Sequence, residues 1–356
     1  MRVLHLITTM DLGGAEKHVA TLALAQANVG MDVRIVYLSG DGEAAPPSVP
    51  SHRASVTTWR QIRTWLTPNS VLHAHLPRSE IWGAGLATGR VPLIISRHNA
   101  EPYFGNRTSG LTKGLSRAVS GRADSVIAIS ESVKRYHIAT GHLASTARIE
   151  VVPYGYRAPE AGAAREFAWT DRRPSALRIA CVARLNTQKD LPTLLRGVAV
   201  LRERGIDVDL RIAGEGPELY RLMALRNHLG ISDHVAFIGK IPNAESFISG
   251  ADLFALTSRY EGLGLVLLEA MAVGTPIVAA RNTAIEEVVM DNSTGLLFET
   301  GDAEDFAISV TRLIEDTRLA AKLVRAAKVR LETEFGLDTM VHRIETVYRS
   351  ALERYH

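Results

Sequence analysis

The sequence has a single cysteine, Cys181, among 356 residues, which excludes a disulfide within the chain. Cys181 lies in the apolar run LRIACVA, where no polar neighbour would activate its thiol, so we expect a core residue rather than a nucleophile. An uninterrupted apolar run is also missing. The most apolar stretch, residues 262–280, contains Glu269, Gly274 and Pro276, so we expect no membrane-spanning helix there.

The sequence also lacks Lys/Arg runs with interleaved aromatic residues, so nucleic acid is not an expected partner. The opening MRVLHLITTM has only a short apolar stretch without a small-residue cleavage site, which predicts a β-strand rather than a signal peptide. We therefore expect a cytoplasmic protein. Charge is uneven: residues 1–173 hold 20 Lys and Arg against 13 Asp and Glu, and residues 174–356 hold 21 against 25. The basic half indicates either an acidic partner or a solvated, Arg-rich surface.

Apolar, strand-like runs alternate with amphipathic helical segments along the chain, which predicts an α/β fold with parallel sheets covered on both faces. The first series of strands is predicted at residues 2–7, 32–38, 70–75, 92–98, 124–130 and 148–155. The second is predicted at residues 177–184, 207–214, 234–239, 252–258, 276–280 and 294–298. Residues 302–354 are charged at helical spacing and are predicted to be helical.

Between the two series, residues 161–176 belong to an Ala-, Gly-, Pro- and Arg-rich stretch that is typical of a linker. We therefore predict two Rossmann-like, doubly wound parallel-sheet domains that face a central cleft. An N-terminal domain, which we assign to the acceptor side, spans residues 1–160, and a C-terminal domain that binds a nucleotide-sugar spans residues 177–335. A last helix, residues 336–356, is predicted to cross back to the N-terminal domain.

Ligands of such folds bind at the carboxyl ends of strands. The paired glycines Gly13 and Gly14 follow the first strand and precede a helix, where the backbone can approach a ligand or simply make a tight turn. Arg184 and Lys189 follow the first strand of the second domain and match the charge of a nucleoside diphosphate. The next strand is followed by Gly214-Glu-Gly216, which suits either a nucleotide contact or a plain turn.

Two glutamates lie within the apolar stretch SRYEGLGLVLLEAMAVGTPIVAA, residues 258–280. Glu261 precedes a predicted helix, and Glu269 lies inside that helix. Seven residues separate the two glutamates. A buried carboxylate is costly without a partner. Free backbone N–H groups at the helix start suit diphosphate oxygens, whereas the two carboxylates would repel phosphate and suit sugar hydroxyls. These amides belong to the segment Gly262, Leu263, Gly264 and Leu265.

Together these motifs resemble the retaining glycosyltransferases of family 4, which have the GT-B fold. The resemblance rests on Arg184 with Lys189, on Glu261-x7-Glu269 with E-G-L-G-L, and on A-M-A-V-G-T-P-I-V-A. It also includes G-G-A-E near the N-terminus and V-V-P-Y-G, and it covers the whole chain in order.

The resemblance implies a role for each matching position. Arg184 and Lys189 would bind the donor diphosphate, Glu269 the ribose hydroxyls and Glu261 the donor sugar. Gly14 would lie against the donor from the opposite domain. His98, in R-H-N, matches a family histidine near the reacting centre. Sugar transfer would retain the anomeric configuration, with the leaving phosphate accepting the acceptor's proton, and no metal or other cofactor would be needed.

Other residues favour structural readings. His73 and His75 alternate on one strand face, but no further ligand has the spacing of a metal site, so we expect core or acceptor-site histidines. Asp207-Val-Asp209 is similar to the metal-binding D-x-D of another glycosyltransferase fold, yet it begins a strand and is expected to be structural. Residues 153–157, PYGYR, depart from the family's P-N-G-V-D, which puts the role of that Asn and Asp in doubt.

We expect a hexosyl- or N-acetylhexosaminyl-transferase of polysaccharide biosynthesis that uses a nucleotide-sugar. UDP is the preferred nucleotide, because the loop near Lys240 offers no evident guanine reader. The acceptor would be a glycan, a lipid-linked glycan or a small molecule. A basic segment, residues 107–122, with Arg107, Lys113, Arg117 and Arg122, indicates weak docking to the inner face of the membrane. A GT-B phosphorylase, a sugar-nucleotide epimerase and a non-catalytic nucleotide-sugar-binding protein remain alternatives.

Overall fold

The computed structural model describes residues 1–11, 13–87, 91–101, 103, 110–157 and 176–355. The chain forms two compact units. Met1–Gly155 and Gly336–His356 make up the first, called the N-unit below, and Tyr156–Phe335 make up the second, called the C-unit. The predicted linker, residues 161–176, lies outside the described residues except for Ala176.

The N-unit has a seven-stranded parallel sheet in the order β3-β2-β1-β4-β5-β6-β7. Its strands are β1 (Arg2–Thr9), β2 (Asp32–Ser39), β3 (Ser51–Arg53), β4 (Ser70–His75), β5 (Leu93–Arg97), β6 (Ser125–Ala128) and β7 (Ile149–Val151). The helices between them are α1 (Gly14–Asn28), α2 (Val56–Trp65), α3 (Pro77–Leu86), α4 (Gly110–Arg122) and α5 (Glu131–Ala139).

The C-unit has a six-stranded parallel sheet in the order β10-β9-β8-β11-β12-β13. Its strands are β8 (Leu177–Val182), β9 (Val208–Ala213), β10 (Val235–Gly239), β11 (Leu253–Leu256), β12 (Ile277–Arg281) and β13 (Leu296–Glu299). Its helices are α6 (Leu191–Glu203), α7 (Leu219–His228), α8 (Ala244–Ser249), α9 (Leu265–Val273), α10 (Thr283–Val288), α11 (Ala303–Glu315) and α12 (Thr317–Glu334). Cys181 on β8 is fully buried in the core of this unit, as predicted.

The last helix, α13 (Leu337–Tyr355), belongs to the N-unit. Met340, Ile344 and Tyr348 on its apolar face join the core on one side of the N-unit sheet, together with Val3 and Ile7 of β1. Tyr348 is fully buried. This helix therefore completes the cover over one face of the sheet.

Strand alternation sorts the side chains of the N-unit between the two faces of its sheet. On β1, Val3 and Ile7 join the core beneath α1 and α13, whereas Leu4 and Leu6 join the core on the opposite face. Both faces are buried, which explains why β1 reads as an almost continuous apolar run. The same alternation places His5 on the face covered by α1 and α13.

All twelve predicted strands form, and they differ from the predicted bounds by no more than a few residues at their ends. Only β3 was not predicted, because Ser51–Arg53 is short, polar and half-exposed at the sheet edge. The prediction of a helical C-terminal region is confirmed by α11, α12 and α13. None of the helices in the described part of the chain has the length and apolarity to cross a bilayer.

Candidate active site

In the C-unit, the strand order reverses between β8 and β11, which lie side by side near the centre of the sheet. They run parallel, with Leu253 opposite Ile179 and Phe254 opposite Ala180. The chain leaves the two strands toward opposite edges, so the loops that follow them diverge and leave a crevice at the carboxyl ends. These loops, residues 183–190 and 257–264, carry several of the predicted donor-binding residues.

Hydrogen bonds join the two loops into one surface. The hydroxyl of Thr257 donates to the carbonyl of Lys189 at 2.8 Å. The backbone N–H of Arg259 donates to the carbonyl of Gln188 at 2.9 Å, and the side-chain amide of Gln188 donates to the carbonyl of Tyr260 at 3.0 Å. Side chains that are far apart in sequence are thereby held at fixed positions.

Lys189 and Glu261 form an ion pair on this surface, with 2.6 Å between Nζ and Oε1. Their side chains are only 17% and 8% exposed, so the pair is largely removed from water. Lys189 ends a 3₁₀ turn, Thr187–Lys189, which is capped by the Asn186 side chain. The sequence predicts separate ligands for the two residues, and the structure brings them together. A donor that contacts both residues must either bind to the intact ion pair or separate Lys189 from Glu261.

Arg184 and the start of α9 are the other predicted phosphate-binding elements. Arg184 is exposed, and no hydrogen bond or ion pair links its guanidinium to any described residue. Gly264, the residue before α9, has the left-handed φ of 87° and offers no side chain to cap the helix. The backbone N–H of Leu267 donates to the carbonyl of Gly264 at 2.8 Å, so the amides of Leu265 and Val266 are the ones that can bind an anion.

Glu269 lies inside α9 and is 5% exposed. Burial, a short hydrogen bond from Tyr156 to Glu245, and the charges of Glu245 and Glu269 raise the pKa of the Tyr156 phenol above its ordinary value. Sequence reasoning missed Tyr156 and Glu245. The one available signal was that Tyr156 stands where the motif of the family has another residue.

Gly214 and Gly216 pack against the loop that follows β8. A Cβ on Gly214 would lie 2.0 Å from the carbonyl oxygen of Ala183, and one on Gly216 would lie 2.3 Å from that of Leu185. The backbone N–H of Leu185 donates to the carbonyl of Glu215 at 2.9 Å. Both glycines therefore allow two backbones to touch, and their predicted contact with the donor remains a prediction.

Replacing Gly214 with alanine is expected to destabilise the protein by about 2–4 kcal/mol, because the methyl group meets a backbone carbonyl and φ is +136°. Gly230→Ala is the matched control. Gly230 also has a positive φ, 67°, but open space around its Cβ, so only about 1 kcal/mol is expected there. Urea unfolding followed by circular dichroism measures both. Equal losses would contradict the close backbone approach.

Three further predicted residues lie at or beside the ends of helices and strands. Lys240 is exposed after β10, the edge strand of the C-unit sheet. Gly13 precedes α1 in extended backbone, and Gly14 is the first residue of that helix. A Cβ on Gly14 would meet nothing within 4 Å, so the backbone there is open to approach. Donor contacts of all three remain predictions.

The N-unit contains a cluster of buried histidines on the sheet face covered by α1 and α13. The register pairs His5 with His73, and alternation places His75 and His98 on the same face. His5, His18, His73, His75 and His98 are at most 5% exposed. Burial lowers the pKa of His5 to about 4 and that of His98 to about 3, and it lowers the pKa values of the other three well below the usual range.

His73 and His75 are core residues, in line with one of the two predicted readings. Sequence spacing offered no third metal ligand, yet the structure adds His5, and one nitrogen from each of these three rings lies within 4.8 Å of the others. Each ring nitrogen of the three is hydrogen-bonded to a protein group. Nε2 of His98, a residue that the family resemblance places near the reacting centre, lies 3.1 Å from Nδ1 of His75, and its Nδ1 lies 2.7 Å from the hydroxyl of Tyr154.

A cavity of about 240 Å³ opens beside His98 in the N-unit. Its wall includes a buried ion pair, with 3.0 Å between Nη2 of Arg97 and Oε2 of Glu80. The Arg97 guanidinium also lies 4.6 Å from the ring centre of Tyr103. Nε of Arg97 and Nδ1 of His137, both buried, have no hydrogen-bond partner among the described residues. Glu101 also lines the cavity, so its wall holds one paired guanidinium and carboxylate, one further carboxylate and several neutral polar groups.

The remaining sequence predictions concern acidic and basic residues. Asp207 pairs with Arg202 at 2.8 Å, and Asp209 pairs with Arg211 at 3.2 Å, which fits the predicted structural role. In the basic segment, Lys113, Arg117 and Arg122 are exposed on α4, whereas Arg107 lies outside the described residues.

Two family models match the chain in succession. The model described as Glycosyltransferase Family 4 matches residues 12–158, and the model described as Glycosyl transferases group 1 matches residues 167–330. The two matches cover most of the N-unit and of the C-unit, respectively.

Among characterised proteins, the chain is 35% identical over 147 residues to the N-acetyl-alpha-D-glucosaminyl L-malate synthase of Bacillus anthracis, covering 41% of this chain and 39% of that protein. It is 27% identical over 299 residues to the GDP-mannose-dependent alpha-(1-6)-phosphatidylinositol monomannoside mannosyltransferase of Mycobacterium tuberculosis H37Rv, covering 80% of this chain and 75% of that protein. The match to the first relative spans only about two fifths of its length.

Among solved structures, Anabaena Alr3699/HepE in complex with UDP and glucose has a TM-score of 0.83 at 19% identity, covering 98% of this chain and all of that one. Sucrose-phosphate synthase from Thermosynechococcus elongatus has a TM-score of 0.83 at 20% identity, covering 99% and 100%. At these identities the likeness concerns the fold. The chain belongs to the group 1, family 4 glycosyltransferases, and its two Rossmann-like units have the GT-B fold.

Proposed function

We propose that this chain is a retaining glycosyltransferase that moves a sugar from a UDP-sugar to a hydroxyl of a glycan, a lipid-linked glycan or a small molecule. The observation that carries the proposal is the grouping of Lys189, Glu261, Arg184 and the uncapped start of α9 at the strand reversal of the C-unit. It combines two cations and backbone amides for a diphosphate with the carboxylate of Glu261 for hydroxyls.

In the proposed reaction, negative charge develops on the departing diphosphate. Arg184 offers a planar fork of donors, and Lys189 offers a point charge once Glu261 turns to the hydroxyls of the donor sugar. The α9 amides are fixed before the reaction, so they stabilise the charge without reorganisation, whereas Lys189 becomes available as Glu261 turns. The leaving phosphate takes the acceptor's proton, and the acceptor attacks from the same face.

The donor nucleotide is proposed by weighing two indications. Anabaena Alr3699/HepE holds UDP and glucose, whereas the mycobacterial relative is named as GDP-mannose-dependent. The loop at Lys240 has no acidic side chain within two positions, so an obvious reader of the guanine amino group is missing from it. We therefore propose UDP, with a hexose or N-acetylhexosamine as the sugar.

The acceptor side of the proposal rests on the cavity beside His98. Arg97 is neutralised by Glu80, and burial lowers the pKa of His137 to about 3, so that this imidazole is neutral. Unpaired donor and acceptor atoms suit hydroxyl groups, and the carboxylate of Glu101 on the same wall disfavours a free anion. The volume of about 240 Å³ fits a group smaller than a drug-sized ligand, such as one sugar ring.

The proposal is tested by a thermal-shift screen of UDP- and GDP-sugars, followed by incubation of the stabilising donor with glycan and polyol acceptors. Proton NMR of the product gives its anomeric configuration. We expect a UDP-sugar to be selected, retention of configuration, and full turnover in EDTA because no metal is needed. Selection of a GDP-sugar overturns the donor assignment, inversion overturns the mechanism, and loss of turnover in EDTA overturns metal independence.

Weak membrane docking through α4 is part of the proposal. Leu111 is 85% exposed and Leu115 39% exposed, and Lys113 and Arg117 are exposed beside them. Each cation near an anionic surface contributes about 1 kcal/mol. Lys113→Glu is therefore expected to lower binding to phosphatidylserine vesicles at least about fivefold in co-sedimentation. Lys322→Glu, an equal change on an exposed position of α12, is the control, and an equal loss in both variants would count against docking through α4.

A further inference from the structure

The histidine cluster of the N-unit contains a continuous chain of hydrogen bonds that runs from Gln26 through His98 to Tyr154. Nε2 of His5 lies 2.8 Å from Oε1 of Gln26, and Nδ1 of His5 lies 3.0 Å from Nε2 of His75. Nδ1 of His75 lies 3.1 Å from Nε2 of His98. Nδ1 of His98 lies 2.7 Å from the hydroxyl of Tyr154. All five side chains are at most 5% exposed.

A neutral imidazole has one N–H donor and one acceptor nitrogen, so each bond of such a chain determines the next. The Gln26 amide oxygen can only accept, which places the proton of His5 on Nε2. Nδ1 of His5 then accepts from Nε2 of His75, and Nδ1 of His75 accepts from Nε2 of His98. The Tyr154 hydroxyl donates to Nδ1 of His98. The Gln26 amide thus sets the tautomer of the His98 ring through three successive hydrogen bonds.

The other end of the Gln26 amide determines a second branch. Its Nε2 donates to the hydroxyl of Tyr348 at 3.3 Å, and that hydroxyl lies 2.6 Å from Nδ1 of His73. Nε2 of His73 lies 2.7 Å from Oγ of Ser96. Turning the amide over would reverse both branches together. Gln26 and Tyr348 are fully buried, so no water competes for the amide.

We propose that Gln26 is a positioning residue that acts through His5 and His75 to hold His98 as its Nε2–H tautomer. An amide accepts a hydrogen bond but does not pass a proton on, so the chain fixes a direction and carries no net proton away from His98. His98 is thereby kept neutral, with both nitrogens engaged, and does not serve as a general base. This consequence for sugar transfer rests on the proposed function, whereas the tautomer does not.

A metal ion at His5, His73 and His75 would be incompatible with this arrangement. Their nitrogens lie close enough together to suggest one, but ligation would replace the hydrogen bonds of His5 with Gln26 or His75. Metal analysis of the full chain, purified without chelator, distinguishes the two states. Stoichiometric metal that is lost in His73→Ala would overturn the proposal.

The direct test is ¹⁵N NMR of the full chain labelled at the histidine rings, because the two ring nitrogens report which one carries the proton. We expect His5, His73, His75 and His98 in the Nε2–H form at neutral pH, each assigned by its loss in a His→Asn variant. The exposed His342 serves as the solvent-averaged reference. An Nδ1–H, averaged or charged His98 ring in the wild-type protein overturns the proposal without any need for a variant.

Two substitutions test the role of Gln26 itself. Gln26→Glu keeps an oxygen for His5 and is expected to preserve the His98 tautomer. Gln26→Leu removes both hydrogen bonds of the amide, and the loss of the one to His5 is expected to lower the ratio of the two His98 tautomers at least about fivefold. An unchanged ratio in Gln26→Leu would show that Gln26 does not set the direction. Once an active donor is known, Gln26→Leu should lower kcat and leave KM for the donor unchanged. If the proposed function fails, the NMR result still tests the tautomer.

Discussion

Lys189→Ala is expected to lower kcat/KM for sugar transfer by about 100- to 1,000-fold, because it removes a fixed positive charge from the departing diphosphate. The loss should appear in both kcat and donor affinity, since the charge acts on bound donor and on the transition state. Lys322→Ala makes the same change on an exposed face of α12 and should leave kcat/KM unchanged. Initial rates over a range of donor concentrations separate the two parameters.

The ion pair adds a second readout to the same experiment. Lys189→Ala leaves Glu261, 7% exposed, without its cation, which is expected to lower the free energy of unfolding by about 1–3 kcal/mol. Adding Glu261→Gln removes the unpaired charge and should restore much of that stability without restoring turnover. Wild-type turnover in Lys189→Ala would remove the donor site from these loops. Recovery of turnover in the double variant would show that Lys189 serves only to neutralise Glu261.

The C-unit site illustrates what the sequence could predict and what it could not. The two cations follow one strand and the glutamates follow another, and parallel strands bring their carboxyl ends to one edge, so their proximity was predictable. The direct contact of Lys189 with Glu261 was not predictable, because it depends on the hydrogen bonds that Thr257 and Gln188 make between the two loops. Motifs determine which strand end a residue occupies, and tertiary hydrogen bonds determine what it touches.

The histidine network was even less predictable from the sequence. Alternation alone predicts that His73 and His75 share a face. That His5 lies opposite His73 requires the strand order, in which β4 pairs with β1 across nearly 70 residues of sequence. Gln26 and Tyr348 come from helices at opposite ends of the chain, and neither belongs to a motif. The one signal available was a buried polar residue on an amphipathic helix. That signal does not identify the hydrogen-bond partner of the residue.

The buried histidines of the N-unit should make it sensitive to acid. Folded His5, His98 and His137 have pKa values of about 4, 3 and 3, all lowered mainly by burial. In the unfolded chain each takes up a proton near pH 6.5. As pH falls from 7.5 to 5.5 the unfolded state therefore binds more protons than the folded state, and unfolding becomes more favourable. The stabilisation is present above pH 6.5, and it declines until pH reaches the folded pKa values.

Each of these three histidines is expected to remove about 1.4 kcal/mol between pH 7.5 and 5.5, or about 4 kcal/mol together, out of a typical total of about 5–15 kcal/mol. Three of the four tryptophans, Trp59, Trp65 and Trp82, lie in the N-unit, so urea unfolding followed by fluorescence reports on this unit. His137→Asn should reduce the difference between the two pH values by about 1.4 kcal/mol, whereas the exposed His52→Asn should not change it. Equal stability at pH 7.5 and 5.5 would mean that these rings are not held neutral by burial, and it would also remove the basis for a fixed tautomer at His98.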